Sequence, residues 1–307
     1  MENTQFLENL VDLVYRFKDY IFSERKLAEN TIDSYYNDIM QFYEYLISLS
    51  EINNIEDLFK IEILDDYIIY LSNKEIENRS IVRKLSAISL FLKFLKIEEI
   101  IKENPSYLVT RPKIGKKLPV YLNLEEVEKF INSFNLTKSE GIRDKALFEL
   151  MYSCGLRVSE ISGLNIGSVY FKERVLQVFG KGSKERYVPI GERAITELEN
   201  YLSKGRPFLV SKTKKTEALF LNFRGERLTR KGIWKNLKIN AKLAGIEKNF
   251  TVHSIRHSFA THLIQNGADL RGVQSLLGHK NISTTEIYTH LDLTYIKEIY
   301  QKFHSHK

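Results

Sequence analysis

The segment Arg111-Pro-Lys-Ile-Gly-Lys-Lys-Leu-Pro119 holds two of the chain's five prolines, a glycine and four basic residues. Proline removes a backbone donor and fixes φ, and glycine weakens both regular elements, so no helix or strand continues through it. The 307 residues are thereby cut into two parts of ordinary domain size. We place them at 1–108 and 120–307, with a basic linker over 109–119. Charge divides at the same place. Residues 1–110 carry 12 Lys and Arg against 20 Asp and Glu, a net of −8 in a chain of net +7, which leaves +15 for the remainder. The two parts therefore have different electrostatic work, and the second suits a polyanionic partner.

The first part reads as helices. Apolar residues recur at helical spacing from Leu7 to Phe22, from Ile32 through Tyr35, Ile39 and Phe42 to Leu46, and from Ile61 to Leu71. Ser80 is predicted to open a longer amphipathic helix whose apolar face runs through Leu85, Ile88, Phe91, Leu92 and Leu95. Arg79, Arg83 and Lys93 fall on its other side, with Lys84 and Lys96 at the margins. Two readings stand for that basic side: a solvated surface, or a face that meets phosphates. Asn104-Pro105 ends the helical region.

The second part is mixed. Leu124–Ile131 and Ile142–Cys154 have helical patterns, and Ser159-Glu160 is placed to open the next helix. Val175–Phe179 and Arg186–Ile190 read as strands joined by the Gly180–Glu185 loop, with Lys181 in its turn and Pro189 marking an edge. Helices are expected again at 194–204, 229–244, 255–266 and 270–277, with Gly267 and Gly278 as stops. The fold class expected is mainly α with a small β-sheet in the C-terminal domain. The single cysteine, Cys154, lies in an apolar helical stretch and reads as a buried small hydrophobe. It excludes an intrachain disulfide, and the early acids Glu2, Glu8 and Asp12 do not fit a signal peptide. The longest apolar run is too short to span a bilayer. We expect a reduced, cytoplasmic protein with no membrane partner.

The chemistry lies in a set of cations and one phenol. Arg157 stands in Gly155-Leu-Arg-Val-Ser-Glu160, Lys181 in Gly180-Lys-Gly-Ser-Lys-Glu-Arg186, and His253 and Arg256 in His253-Ser-Ile-Arg-His257. His279 follows Leu276-Leu-Gly, and Tyr288 lies in Ile287-Tyr-Thr-His290. A phosphodiester under attack gains charge on its non-bridging oxygens, and two guanidiniums can clamp them. His253 shares a helix face with Arg256 at i, i+3 and can hold the phosphate or move a proton. Lysine on a mobile turn can protonate a leaving alkoxide. A phenol attacks only if nearby cations lower the cost of its phenolate. This chemistry needs no cofactor, no metal and no ATP, and the chain has no G-x-x-x-x-G-K-[S/T] loop. His253-x-x-x-His257, with His262 beyond, has the spacing of a helical zinc site. It lacks the following Glu, so His257 and His262 are assigned to packing or support.

Taken together, these motifs resemble the tyrosine recombinase (phage integrase) family, and within it the Xer type. The resemblance is carried by Ser153–Glu160, Gly180–Arg186, His253-x-x-Arg-His-x-Phe-Ala-Thr-His262, Leu276-Leu-Gly-His279 and Ser283-Thr-Thr-Glu-Ile-Tyr-Thr-His290. It extends to Leu27–Tyr35 in the first part. It implies a helical, SAM-like core-binding domain and an α+β catalytic domain closing as a C-shaped clamp on double-stranded DNA. Tyr288 would be the nucleophile, forming a 3′-phosphotyrosine. Arg157, Lys181, His253, Arg256 and His279 would activate the phosphate. The DNA-contacting set on this reading is Arg79, Arg83, Lys84, Lys93, Lys96, Lys184 and Arg186. A homo- or hetero-tetramer would exchange strands through a Holliday junction, resolving chromosome dimers, with an FtsK-type DNA translocase as a further partner. The C-terminal segment, Leu293–Phe303 within about 292–307, would dock into a neighbouring protomer. The alternatives are a mobile-element integrase or invertase with the same chemistry, and a non-catalytic DNA-binding protein on the same fold.

Overall fold

The computed structural model describes residues 2–49, 60–115, 120–180, 185–211, 215–278 and 290–306, with backbone alone for 2–9 and 290–295. The chain forms two compact units that divide between Lys117 and Leu118.

The first unit is built from α1 (Glu2–Ser23), α2 (Glu29–Ile47), α3 (Ile61–Asn73) and α4 (Asn78–Ile97). Each buries the apolar stripe that its sequence predicts. On α4 this is Ile81, Leu85, Ile88, Leu92 and Leu95, all 4% exposed or less. Aromatic rings fill the centre, with Phe17 edge-on to Phe91 at 5.2 Å and Phe42 beside Tyr67 at 4.9 Å. α4 opens at Asn78, two residues ahead of the predicted Ser80. The proline-bearing segment does not begin as a free linker. Val109 is buried in this unit, Arg111 donates to Ser86 Oγ at 3.2 Å, and Asn78 donates to the Lys113 carbonyl at 3.1 Å.

The basic side of α4 is not uniform. Arg79, Lys93 and Lys96 are exposed. Lys84 is 5% exposed, and its ammonium is held by Asp38 Oδ1 at 3.0 Å and by Gln41. This corrects its assignment to the DNA-contacting set. A margin position lets the stem lie in the core, and the buried Asp38 carboxylate must be paired. Arg83 is turned to the same carboxylate.

The second unit is organised on α6 (Ser139–Cys154), which follows α5 (Leu124–Ile131). Ala146, Leu147, Phe148, Leu150, Met151, Tyr152 and Cys154 are each 1% exposed or less, so this helix is covered on all sides. A short α7 (Val158–Gly163) leads to an antiparallel sheet of order β1-β2-β3: β1 (Val169–Tyr170), β2 (Val175–Phe179) and β3 (Glu185–Pro189). The register pairs Val178 with Arg186 and Val175 with Pro189. Pro189 lies on an edge strand, where its missing N–H costs no ladder bond. β1 escaped the sequence reading because two residues carry no alternation. α8 (Glu192–Asn200), a π-helical turn (Tyr201–Gly205) and α9 (Arg206–Leu209) follow, then α10 (Arg230–Leu243), α11 (Val252–Gln265), α12 (Leu270–Leu277) and α13 (His290–Phe303). Gly267 and Gly278 end their helices with φ of +99° and +66°.

The expected docking of the C-terminal segment into a neighbour concerns an assembly of protomers; the single chain shows where the segment sits in a lone protomer. α13 lies on its own unit. Ile296, Ile299 and Tyr300 are 6% exposed or less and join Phe259, Leu263, Val273, Leu276 and Leu277 in one cluster. Tyr300 Oη is 2.6 Å from Ser153 Oγ. Beyond the helix, His306 Nδ1 is 3.3 Å from Glu149 and its Nε2 3.1 Å from Glu128, while His304 stacks on Tyr300 at 4.6 Å. The apolar face of α13 thus has a complementary surface in its own domain. The side chain of Leu293 lies outside the described residues.

Burial in this seat disfavours the charged form of two histidines, His304 and His262. Burial, and then the neighbouring His306, push His304 down to about 3. Burial also lowers His262, whose Nδ1 is 2.7 Å from Tyr152 Oη. Both folded values lie below the unfolded imidazole near 6.5, so nothing is lost above that pH. Below it the undocked state takes up protons first, at up to about 1.4 kcal/mol per histidine per pH unit. Amide exchange over Ile296–Phe303, corrected for intrinsic rates, is expected to be less protected at pH 5.5 than at pH 7.5. Equal protection would contradict this account.

Candidate active site

The end of α6 sets the position of Arg157. Gly155 takes φ +57°, and a Cβ there would lie 2.5 Å from Phe259 Cδ1, so both backbone and space require glycine. The chain turns sharply and Arg157 becomes the N-cap of α7, with φ −75° and ψ 151°. Its N–H donates to Glu160 Oε2 at 2.8 Å, and its guanidinium donates to Glu160 Oε1 at 2.8 Å.

Glu160 is the centre of the site. Its side chain is 2% exposed, and Arg186 from β3 donates to both oxygens, Nη1 to Oε1 at 2.7 Å and Nη2 to Oε2 at 3.0 Å. Arg256 from α11 stands 3.9 Å away. Burial alone would raise this carboxyl, but the bonds from Arg186 and Arg157 outweigh it and hold Glu160 below the usual carboxylate range. Three guanidiniums against one carboxylate leave two positive charges uncompensated.

Arg256 ties two segments together. Its Nη1 donates to the Gly155 carbonyl at 2.7 Å and its Nη2 to the Leu277 carbonyl at 2.6 Å. One side chain thus brings the turn before Arg157 against the end of α12, next to Gly278 and His279. Burial, and then Arg157, push Arg256 down to about 10, which leaves it a cation at neutral pH. His253 lies in the first turn of α11, where Thr251 and Ser254 cap each other's N–H groups. It is exposed, yet partial burial and then Arg256, His257 and Arg157 lower its pKa. Its imidazole is therefore neutral at pH 7 and can accept a hydrogen bond or a proton.

Of the residues expected from sequence, the structure gathers Arg157, His253 and Arg256. Lys181, Lys184, His279 and Tyr288 lie outside the described residues; Gly180, Glu185, Gly278 and His290 flank them. Arg186 is corrected. At 7% exposure, with its fork on Glu160, it faces the protein and not a DNA groove. Its place as the second residue of β3 turns it inward, and sequence alternation across five residues did not decide that. His257 and His262 serve packing, both edge-on to Tyr121 at 6.1 and 6.2 Å. Among the described residues no three of His, Cys, Asp and Glu converge as a metal site would require. Cys154 is fully buried, and burial pushes its thiol up to about 12. The sequence reading quoted Glu160 and gave it no role. The available signal was a carboxylate three residues beyond an arginine, at a helix start, in a motif otherwise poor in acids.

Replacing Glu160 by Gln would leave buried guanidiniums without their counter-charge. We expect a loss of about 3 kcal/mol in urea unfolding at pH 7. Because the folded carboxyl titrates below its unfolded value, the gap from wild type should narrow as pH falls below about 4. An unchanged midpoint at pH 7 would show that Glu160 is no anchor.

Comparison with known proteins agrees with this geometry. Residues 121–294 match the phage integrase family, and residues 14–99 match the phage integrase N-terminal SAM-like domain. The chain is 39% identical over 293 residues to the tyrosine recombinase XerD of Listeria monocytogenes serovar 1/2a, covering 95% of this chain and 98% of that protein. It is 40% identical over 298 residues to the tyrosine recombinase XerD of Halalkalibacterium halodurans, covering 97% and 99%. Among solved structures it resembles the XerH site-specific recombinase bound to difH substrate in a pre-cleavage complex, with TM-score 0.66, 26% identity and coverage of 93% and 83%. A lambda integrase tetramer bound to a Holliday junction shares the fold at TM-score 0.68 and 18% identity, covering 90% and 75%. With a gathered arginine site and family matches in both units, the chain belongs to the phage integrase family and is a tyrosine site-specific recombinase of the Xer type, an enzyme that cleaves and rejoins DNA.

Proposed function

We propose that Tyr288 attacks a DNA phosphodiester held by Arg157, Arg256, His253, His279 and Lys181. The observation that carries this reading is the excess of two positive charges around Glu160, with the guanidinium of Arg157 42% exposed. An attacked phosphate gains negative charge, and cations fixed beforehand stabilise it without reorganising. Arg157 presents its outer edge to the phosphate, and Arg256 supplies charge from beneath. Neutral His253 accepts the phenol's proton or positions the phosphate, and Lys181 protonates the leaving 5′-oxygen. The product is a 3′-phosphotyrosine that keeps the energy of the broken bond for rejoining. Attack by a 5′-hydroxyl from a second duplex reverses the step and gives a Holliday junction.

Likeness to XerD relatives over nearly the whole chain supports a chromosomal role: resolution of chromosome dimers at a dif-like site. The XerH neighbour bound to difH and the lambda integrase tetramer support double-stranded DNA as partner and a homo- or hetero-tetramer as the working assembly. An FtsK-type translocase acting on that tetramer, and a cytoplasmic location, belong to the same proposal. No described helix is long and apolar enough to cross a membrane.

On a nicked suicide duplex carrying the candidate site, the wild-type chain should form a denaturation-resistant adduct, and Tyr288→Phe should form none. Arg157→Ala should slow adduct formation at saturating DNA by about 10²–10³-fold. An adduct that survives Tyr288→Phe would assign the nucleophile elsewhere. For the first unit, Arg79, Lys93 and Lys96 are exposed on α4, where the equally exposed Arg83 is drawn to Asp38. Changing all three to Ala should lower the slope of log affinity against log salt by about 3. An unchanged slope would remove this face from the DNA interface.

A further inference from the structure

We propose that Arg186 is a positioning residue for strand cleavage, acting through Glu160. The inference rests on the function proposed above. Arg186 touches three parts of the site at once. Its fork holds both oxygens of Glu160 at 2.7 and 3.0 Å. Its shaft and guanidinium lie against Gly278: a Cβ on that glycine would meet Arg186 Cδ and Nε at 3.0 Å. Its own strand begins at Glu185, and Lys181 lies five residues before Arg186 in sequence. His279 follows Gly278 directly. One buried side chain therefore ties the carboxylate that orients Arg157 to the segments that bear His279 and Lys181.

The chemistry explains why an arginine stands there. Glu160 Oε1 is shared between Arg186 Nη1 at 2.7 Å and Arg157 Nη1 at 2.8 Å, and Arg256 waits at 3.9 Å. A bidentate fork fixes the plane of the carboxylate. Without it, Glu160 is free to rotate toward Arg157 and Arg256 and to neutralise the charges that a phosphate needs. Its Nε is buried with no hydrogen-bond partner among the described residues. The close fit at Gly278 packs the guanidinium against the end of α12.

The test uses the full-length chain, the nicked suicide duplex and four variants: Arg186→Met, Arg186→Lys, Glu160→Gln and Arg186→Met combined with Glu160→Gln. Adduct formation is followed in single turnover at saturating DNA, and affinity is followed across salt. Arg186→Met is expected to slow adduct formation by about 10²-fold with affinity and salt slope unchanged. Arg186→Lys should recover part of the rate, because it returns the charge without the fork. The double variant should be no slower than Glu160→Gln alone, since Arg186 acts through that carboxylate. A salt slope reduced by about 1, with the saturated rate kept, would make Arg186 a DNA contact and overturn the proposal. A double variant slowed by the product of the two single effects would overturn it as well. If Arg186→Met does not fold, Arg186→Lys decides: a rate at least fivefold below wild type supports the proposal, and a wild-type rate overturns it. A wild-type chain that forms no adduct overturns instead the function on which the inference rests.

Discussion

A single buried carboxylate organises the catalytic unit. Glu160 accepts from Arg157 and Arg186, with Arg256 close by, and those three arginines come from α7, β3 and α11. A buried charge is costly unless paired, so the fold must deliver cations to it. Because it meets three of them, it cannot neutralise the set. The same interaction that lets Arg186 and Arg256 be buried leaves positive charge in excess beside them. Arg256 extends the frame through the carbonyls of Gly155 and Leu277, so the ends of α6 and α12 are held in one place.

Around that frame the helices act as spacers. α6 is buried over most of its length and forms the centre of the unit, and it ends where glycine alone fits. The sheet projects Arg186 inward near the start of β3. α13 closes the other side, its apolar face and the histidines after it seated on the same domain. In an assembly, any exchange of α13 between protomers must first give up this seat. That makes the C-terminal contact a source of energy that other protomers have to match.

The acidic first unit and the basic second unit fit a division of work. The first carries few cations, and the fold spends two of them, Arg83 and Lys84, on Asp38. Arg79, Lys93 and Lys96 remain at the surface, a small patch on a negative body. Net charge therefore says little about which face meets DNA; the placement of a few side chains says more.

Much of this protein is legible in its sequence. The helical stripes of the first unit, the proline-bearing break, the β2–β3 hairpin and the motifs of Arg157, His253 and Arg256 all follow from local rules: periodicity, turn chemistry and motif spacing. Those rules describe which residues lie on an element, and they reach a few residues along the chain. They do not say what lies opposite. Burial of Lys84, the inward turn of Arg186, the role of Glu160 and the seating of α13 each depend on contacts between residues far apart in sequence. A side chain at the edge of an apolar face can turn to solvent or to a buried partner, and the partner decides. For Lys84 that partner is Asp38, 46 residues away, and for Arg186 it is Glu160, 26 residues away. The sequence by itself determined the elements and the chemical types present; the tertiary structure decided which charges are paired and which are left to meet a phosphate, because pairing energy exists only once the fold brings the partners within a few ångströms.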